Sequence, residues 1–345
     1  MEYRLLGRTG VRVSTHCLGA MMFGSWGNPD HADCRRIIHT ALDAGINFID
    51  TADIYSGGGS EEIVGEALRG RRDEVVLATK FHGKMGEGPN QQGNSRRWIM
   101  RALEASLRRL GTDHIDLYQM HRPDPTTDIE ESLGALDDLV AQGKIRYAGS
   151  STFPAWQVVE AHCVSQRRRL TRLVCEQPPY SIFVRVAERD LFAVTQRYGM
   201  GVIVWSPLAG GWLAGRYLQD RAAAAEKMER VQMRGEFVAR RFDLSQPGNQ
   251  RKLELLESLS SIADKAGMPM AHLAIAFTLA HPAVTSAIIG PRTIEQLEDT
   301  LAGADARLDD AALDAIDEIA PPGGYVEETD LGYSPPWMSP EARRI

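Results

Sequence analysis

Asp50, Tyr55, Lys80 and His121 each stand at or just past the end of an apolar run that reads as a strand. Their types fit proton delivery. Lys80 closes the run Val75-Val76-Leu77-Ala78-Thr79, so its ammonium is expected at the mouth of a buried strand. Desolvation there disfavours the charge unless an anion is near. Asp50, closing Asn47-Phe48-Ile49, can be that anion. A phenol, with an unperturbed pKa of about 10, is a poor donor at neutral pH, but a lysine cation nearby favours phenolate and makes Tyr55 a better acid. His121 ends the run from Ile115 to Met120 and adds a donor able to hold a carbonyl oxygen. Any one of these residues could be a solvated strand end; four together point to a site.

A second group supplies recognition chemistry. Ser151, Thr152 and Gln177 end adjacent strand-like runs and offer hydroxyl and amide groups suited to a carboxamide, while Trp205 offers a flat face for an aromatic ring. The segment Gly290-Pro291-Arg292-Thr293-Ile294-Glu295-Gln296 opens a predicted helix after the last strand, and an arginine at a helix N-terminus suits a phosphate. By contrast, Tyr55-Ser56-Gly57-Gly58-Gly59-Ser60 lacks a following Gly-Lys-Ser/Thr, and Glu61 with Glu62 would repel phosphate. Ser60 is read as a helix N-cap and the glycines as a turn that lets Tyr55 face the site. No GxGxxG occurs, so a dinucleotide would not be held by a Rossmann fingerprint.

Positioning these side chains requires parallel strands whose C-terminal ends converge. Short β-like runs at 47–50, 75–80, 115–121, 145–151, 173–177, 201–206 and 286–290 alternate with helical segments, and a weaker run at 15–18 brings the number to eight. The expected fold is a (β/α)8 TIM barrel, with 3–13 as an N-terminal β-hairpin closing its bottom. Helical periodicity is clear at 95–110 and 128–142, with Gly111 and Gly143 as stops. A lid-like insertion at 208–249, following strand 7 and helical near 222–241, and a C-terminal tail at 321–345 exceed ordinary loops. One domain, 1–345, is expected.

Composition narrows the function. The chain has 345 residues, 43% of them hydrophobic, and a formal net charge of −7 with dispersed basic residues, which argues against nucleic acid as a partner. Cys17, Cys34, Cys163 and Cys175 form no CxxC pair, and no His/Cys cluster has metal-ligand spacing, so neither disulfides nor a metal is expected. With no signal peptide and no membrane span in the sequence pattern, the expected location is cytoplasmic.

The stretches Asp50-Thr51-Ala52-Asp53-Ile54-Tyr55 with Ser60-Glu61, Ala78-Thr79-Lys80, Asp116 to Asp124, Trp205-Ser206-Pro207-Leu208 and Ile289-Gly290-Pro291-Arg292 resemble the aldo-keto reductase superfamily in order and spacing. The resemblance runs from Gly7 to about Gly323 and is nearest the bacterial branch related to the β subunits of Shaker-type potassium channels. It implies a barrel that binds NADPH (NADP+), with NADH as an alternative, and reduces an aldehyde or ketone to an alcohol. Tyr55 would be the general acid, Lys80 and Asp50 would tune it, and His121 would orient the carbonyl. Ser151 and Gln177 would contact the nicotinamide carboxamide, Trp205 would stack on its ring, Ser206 and Leu208 would lie by the pyrophosphate, and Arg292 with Gln296 would meet the adenosine 2′-phosphate and adenine. Thr152 stands where the family usually has asparagine, as does Thr300, and Phe277 stands where tryptophan is common. The resemblance also admits a homo-oligomer and an alternative role as a cofactor-binding, redox-sensing subunit with slow turnover. A barrel isomerase or lyase using Lys80 as a Schiff base is a third class, against which the neighbouring Asp50 and Tyr55 argue.

Overall fold

The computed structural model describes residues 1–338 and Ala342; the remaining residues of the predicted tail lie outside it. Two compact units are present. The first comprises Met1–Pro178, Asp190–Trp205 and Thr278–Arg307, and the second Pro179–Arg189, Ser206–Phe277 and the described residues from Leu308 onward.

Ten strands lie in the first unit. β1 (Tyr3–Leu5) and β2 (Arg12–Ser14) pair antiparallel as a hairpin, matching the sequence expectation. The other eight form a closed parallel barrel: β3 (His16–Gly19), β4 (Phe48–Asp50), β5 (Val76–Phe81), β6 (Ile115–Met120), β7 (Ile145–Ser151), β8 (Leu173–Gln177), β9 (Gly201–Val204) and β10 (Ser286–Ile289), in the order β10-β3-β4-β5-β6-β7-β8-β9. This is the (β/α)8 architecture, with the weak run at 15–18 taking its place as β3. Helices α1 (His31–Asp43), α2 (Gly59–Ala67), α3 (Arg96–Leu110), α4 (Ile129–Ala141), α5 (Ala155–Arg168) and α6 (Leu191–Tyr198) alternate with the strands. The expected stops hold, with Gly111 and Gly143 in the left-handed region after α3 and α4, and the N-termini are capped by side chains, the Ser95 hydroxyl accepting from Trp98 N–H and the Asp128 carboxylate from Glu130 N–H.

The barrel interior explains where chemistry can sit. Cys17, Phe48, Ala78, Leu117, Cys175 and Ile203 form one buried layer with Leu6 and Val13 of the hairpin segment. Side chains on a strand alternate, so two residues further along the same face comes again. That step leads from Phe48 to Asp50, from Ala78 to Lys80, from Leu117 to Gln119, from Cys175 to Gln177 and from Ile203 to Trp205. An apolar floor thus lies beneath a polar layer at the strands' C-terminal ends. The hairpin approaches β9 closely: Arg8 N–H donates to Gly199 O at 3.0 Å, and a Cβ on Gly7, whose φ is 57°, would stand 2.5 Å from that same oxygen. Only glycine fits there.

The second unit holds the insertion and the tail. A 3₁₀ turn at Ala209–Ala214 is followed by α7 (Arg216–Gln219), α8 (Ala223–Val231), α9 (Glu236–Arg240) and α10 (Pro247–Lys265), so the insertion is helical where expected. α11 (Met270–Ala280) follows; α12 (Ile294–Ala302) belongs to the first unit and α13 (Asp310–Ile319) to the second. Within the second unit Lys252 of α10 is fully buried and ion-pairs with Asp330, which also accepts from Arg241 Nε at 2.7 Å.

Candidate active site

Lys80 is the centre of the polar layer. Its side chain is wholly buried, and Nζ donates to Asp50 Oδ1 at 2.5 Å and to the Thr51 carbonyl at 2.9 Å. The Tyr55 hydroxyl lies 3.4 Å from the same nitrogen, and the Tyr55 ring centroid 5.1 Å from it. Burial alone would lower the Lys80 pKa, but the charge and hydrogen bond of Asp50, with a contribution from Tyr55, carry it above its ordinary value. The ammonium is therefore the resident form.

Tyr55 reaches this position through an unusual turn. Tyr55–Gly58 forms a 3₁₀ turn in which Ser56, Gly57 and Gly58 all have positive φ. The turn role expected for the glycines holds. A Cβ on Gly58 would meet the Arg109 side chain at 2.7 Å. Ser60 is not the N-cap expected: α2 begins at Gly59, no side chain caps it, and the Ser60 hydroxyl instead donates to Ala20 O at 2.7 Å. The reason is the early start of the helix, which puts Ser60 inside the first turn and against the β3 end. Glu61, in that same turn, is fully buried, held by Arg109 Nε at 2.7 Å and by the Thr79 hydroxyl at 2.6 Å.

His121 completes the group, its ring edge-on to Tyr55 with centroids 5.7 Å apart. Burial, reinforced by the Arg122 and Lys80 cations, holds its pKa well below the usual imidazole range, so the ring is neutral and carries one N–H. Trp26 also lies against the phenol, 6.0 Å away centroid to centroid.

The recognition residues divide into four groups. Gln177 joins the proton-handling residues directly, its Nε2 donating to Asp50 Oδ2 at 2.9 Å. Ser151 and Thr152 form a corner at the end of β7, where the Ser151 hydroxyl and Thr152 N–H both donate to Gln177 O at the end of β8, at 2.9 and 3.1 Å. Thr152 has a φ of 60°, uncommon for a β-branched residue. Arg122 donates to the Thr152 hydroxyl at 3.2 Å and lies 5.9 Å from the Trp205 ring centroid, which draws Trp205 into the same corner. Gly290, Arg292 and Gln296 form a separate turn between β10 and α12: Arg292 N–H donates to Gln296 Oε1 at 2.8 Å, and Arg292 O accepts from Asn28 Nδ2 at 2.9 Å. Ser206 and Leu208 belong to the second unit, where Ser206 O accepts from Ala209 N–H and Leu208 O from Gly211 N–H, both at 2.8 Å.

Three residues of this region escaped the sequence reading. Gln119 Nε2 lies 3.3 Å from Asp50 Oδ2 as a second neutral donor; its signal was the alternation that places it two residues after Leu117 on the inward face. Arg122 had no signal beyond adjacency to His121. Glu176 is fully buried on β8, with one carboxylate oxygen bonded by the Ser150 hydroxyl and the other by Phe153 N–H at 3.0 Å. Burial outweighs these hydrogen bonds and pushes its pKa up to about 7.

A barrel with a buried lysine, carboxylate, phenol and neutral imidazole at its C-terminal mouth invites comparison with known proteins. Residues 17–321 match the family described as the Aldo/keto reductase family. The chain belongs to that family. It is similar to an uncharacterised oxidoreductase, YrpG, of Bacillus subtilis, with 42% identity over 95% of this chain and 99% of the relative. A probable voltage-gated potassium channel subunit beta of Oryza sativa is 36% identical over 88% of this chain and 92% of its own length. An aldo-keto reductase of Fusarium vanettenii is 32% identical over 93% and 92%. The aldo-keto reductase chain described here is thus an oxidoreductase whose family acts on small molecules and generally uses nicotinamide cofactors.

Proposed function

We propose that this aldo-keto reductase converts an aldehyde or ketone to the alcohol with NADPH, with Tyr55 as general acid. The observation that carries the reading is the Lys80 ammonium, buried between Asp50 Oδ1 at 2.5 Å and the Tyr55 hydroxyl at 3.4 Å. A permanent cation beside a phenol lowers the cost of phenolate as the proton leaves. Asp50, held by Gln119 and Gln177, keeps Lys80 charged and aimed. The neutral His121 ring donates its N–H to the substrate oxygen and leaves the phenol as the acid. Trp26, its ring 6.0 Å from that of Tyr55, would bound the substrate side.

The residues present fit a nicotinamide dinucleotide phosphate. Trp205 offers a flat ring, Ser151 and Gln177 offer polar groups beside it, and a Cβ on Gly290 would meet nothing within 4 Å, so that turn stands open. Arg292 and Gln296 at the start of α12 would hold the 2′-phosphate and adenine, and Ser206 with Leu208 the pyrophosphate. When bound, the cofactor supplies the hydride that the carbonyl carbon accepts. A cytoplasmic location and a single functional domain, 1–345, complete the reading, consistent with four free cysteines and with no described helix long and apolar enough to cross a membrane.

The test is a panel of aldehydes and ketones assayed by loss of reduced-nicotinamide absorbance with NADPH and NADH, for wild type and Tyr55→Phe. General acid catalysis is typically worth ~10² to 10⁴-fold, so the variant should lose that much turnover and keep cofactor affinity within a few fold. Near-normal turnover in Tyr55→Phe would remove the phenol from the mechanism. The potassium-channel names of several relatives favour one second reading, a cofactor-binding redox sensor. Tight NADPH binding with slow turnover on every carbonyl tested would select it.

A further inference from the structure

Asp53 is 1% exposed, and neither of its carboxylate oxygens has a hydrogen-bond partner. An isolated buried carboxylate costs several kcal/mol, so such a group needs a proton or a ligand. Asp53 lines a cavity of about 480 Å³ in the first unit, within the range of small-molecule sites. The opposite wall is one face of α3, where Trp98, Arg101, Ala105 and Arg108 recur at helical spacing, and Met85 and Gln91 of the loop at 82–94 border it. Trp98, 6% exposed, leaves its indole Nε1–H without a partner as well. Two buried polar side chains, from β4's following loop and from α3, thus line one cavity, the Trp98 indole N–H without a partner and the Asp53 carboxyl with no side-chain partner.

The kind of ligand follows from what the wall offers. Indole is a donor only. Burial, then the nearby Glu61 carboxylate, pushes the Asp53 pKa well above the ordinary range against the opposing Arg109 and Lys80 cations and the Ile54 backbone, which favours the protonated form that presents an O–H. Three guanidiniums, Arg101, Arg108 and Arg109, border the cavity against a single charged carboxylate, Glu104, which is bridged to Lys144. Donors and cations face a space whose remaining wall is apolar, from the Trp98 ring, Met85, Ala102 and Ala105. Among the described residues no group of three His, Cys, Asp or Glu could hold a metal ion.

We propose that this cavity is a second small-molecule site, separate from the barrel mouth, which takes a small organic carboxylate with an apolar body. The carboxylate accepts from Asp53 and from Trp98 Nε1–H, Arg101 and Arg108 neutralise it, and the apolar part lies on Trp98 and Met85. The site does not depend on the reductase reading. Its backbone link to the proton-handling group is the hydrogen bond from Asp53 N–H to Lys80 O at 3.1 Å.

Titration calorimetry of the intact chain with phenylacetate tests it, with 2-phenylethylamine and 2-phenylethanol as cationic and neutral molecules of similar shape. Phenylacetate should bind one equivalent, and the amine should not. Trp98→Phe keeps the ring and loses the donor, and Arg101→Gln changes an exposed side chain; each should weaken phenylacetate by about tenfold, the value of a charge-assisted hydrogen bond. Asp53→Asn, which retains a donor, should still bind phenylacetate and lose the weakening that wild type shows with rising pH as Asp53 ionises. Tyr55→Phe should leave the affinity unchanged. Failure of phenylacetate to bind, equal binding of the amine, or indifference to both Trp98→Phe and Arg101→Gln would overturn the proposal, as would a loss confined to Tyr55→Phe, which would assign the carboxylate to the barrel mouth.

Discussion

Two lysines of this chain are fully buried against an aspartate, and they behave in opposite ways. Lys80 of the first unit faces Asp50, and its pKa is raised. Lys252 of the second unit faces Asp330, and burial, only partly offset by that carboxylate, leaves its pKa lowered. The difference lies in what else each carboxylate serves. The other donors on Asp50 are the neutral amides of Gln119 and Gln177, so among the described residues Lys80 is the only cation hydrogen-bonded to it. Asp330 is shared with Arg241, whose charge disfavours a second cation beside it. Around Lys80 the remaining space opens to a phenol; around Lys252 it is filled by Asn249 Oδ1 at 2.9 Å and the Trp212 ring, 5.2 Å to centroid. Similar burial therefore yields an ammonium poised beside a titratable hydroxyl in one unit and a staple between α10 and the tail in the other. The charge balance of the acceptor decides which.

The comparison can be broken most directly at Lys80. Lys80→Met should lower turnover by at least ~10²-fold, and Asp50→Asn should lower it too, with the double variant far from additive because the pair acts on one phenol. A double-mutant cycle on kcat checks this; additive losses would mean the residues act independently.

Glu176 sharpens the contrast as a buried carboxylate with neutral donors and no cation bonded to it. Its pKa is about 7 against an ordinary 4.5. Below pH 4.5 folded and unfolded chains are both protonated at this position. Between 4.5 and about 7 only the folded state keeps the proton, so stability falls as pH rises, and above that the penalty is complete. Glu176→Gln should remove this fall, gaining on wild type by roughly 3 kcal/mol across the window. Urea unfolding of both proteins at the two ends of the window measures it, and parallel pH profiles would contradict it.

Lys252→Met tests the other lysine. Because Arg241 still holds Asp330, the cost should be about 2 kcal/mol, below the ~3–5 typical of a buried pair broken outright, and kcat per folded molecule should stay within about twofold. Denaturant midpoints with active-site-normalised rates separate the two effects; a turnover loss without a stability loss would erase the distinction between the lysines. The smallest effect is expected at Arg292, a half-buried cation at the α12 N-terminus. Arg292→Ala should narrow the preference for NADPH over NADH by about tenfold, read as dissociation constants at one ionic strength. An unchanged preference would place the phosphate contact elsewhere.

Much of this was legible because barrel geometry converts local pattern into position. Apolar runs with period-two alternation, each closing on a polar residue, announce both the strands and the mouth of the barrel, which is why Asp50, Lys80, His121 and Gln177 could be named from their place at run ends. Helix ends at Ser95, Gly111 and Asp128 were equally local, resting on a side chain or a φ value within one turn. Closure of the barrel decided the rest. It set Gln119 and Gln177 on one carboxylate, hung Arg122 between Thr152 and Trp205, and buried Asp53 beside Trp98 with neither satisfied. It also turned Glu61, read from the sequence as a helix-start acid that would repel phosphate, into the fully buried partner of Arg109. The pairing of Lys252 with Asp330 joins α10 to the tail and has no local signature. Hydrogen-bond partners and desolvation depend on which distant segments arrive, and a charge's pKa depends on both, so residue types and spacing nominate the chemistry while the packed neighbours determine which groups carry protons.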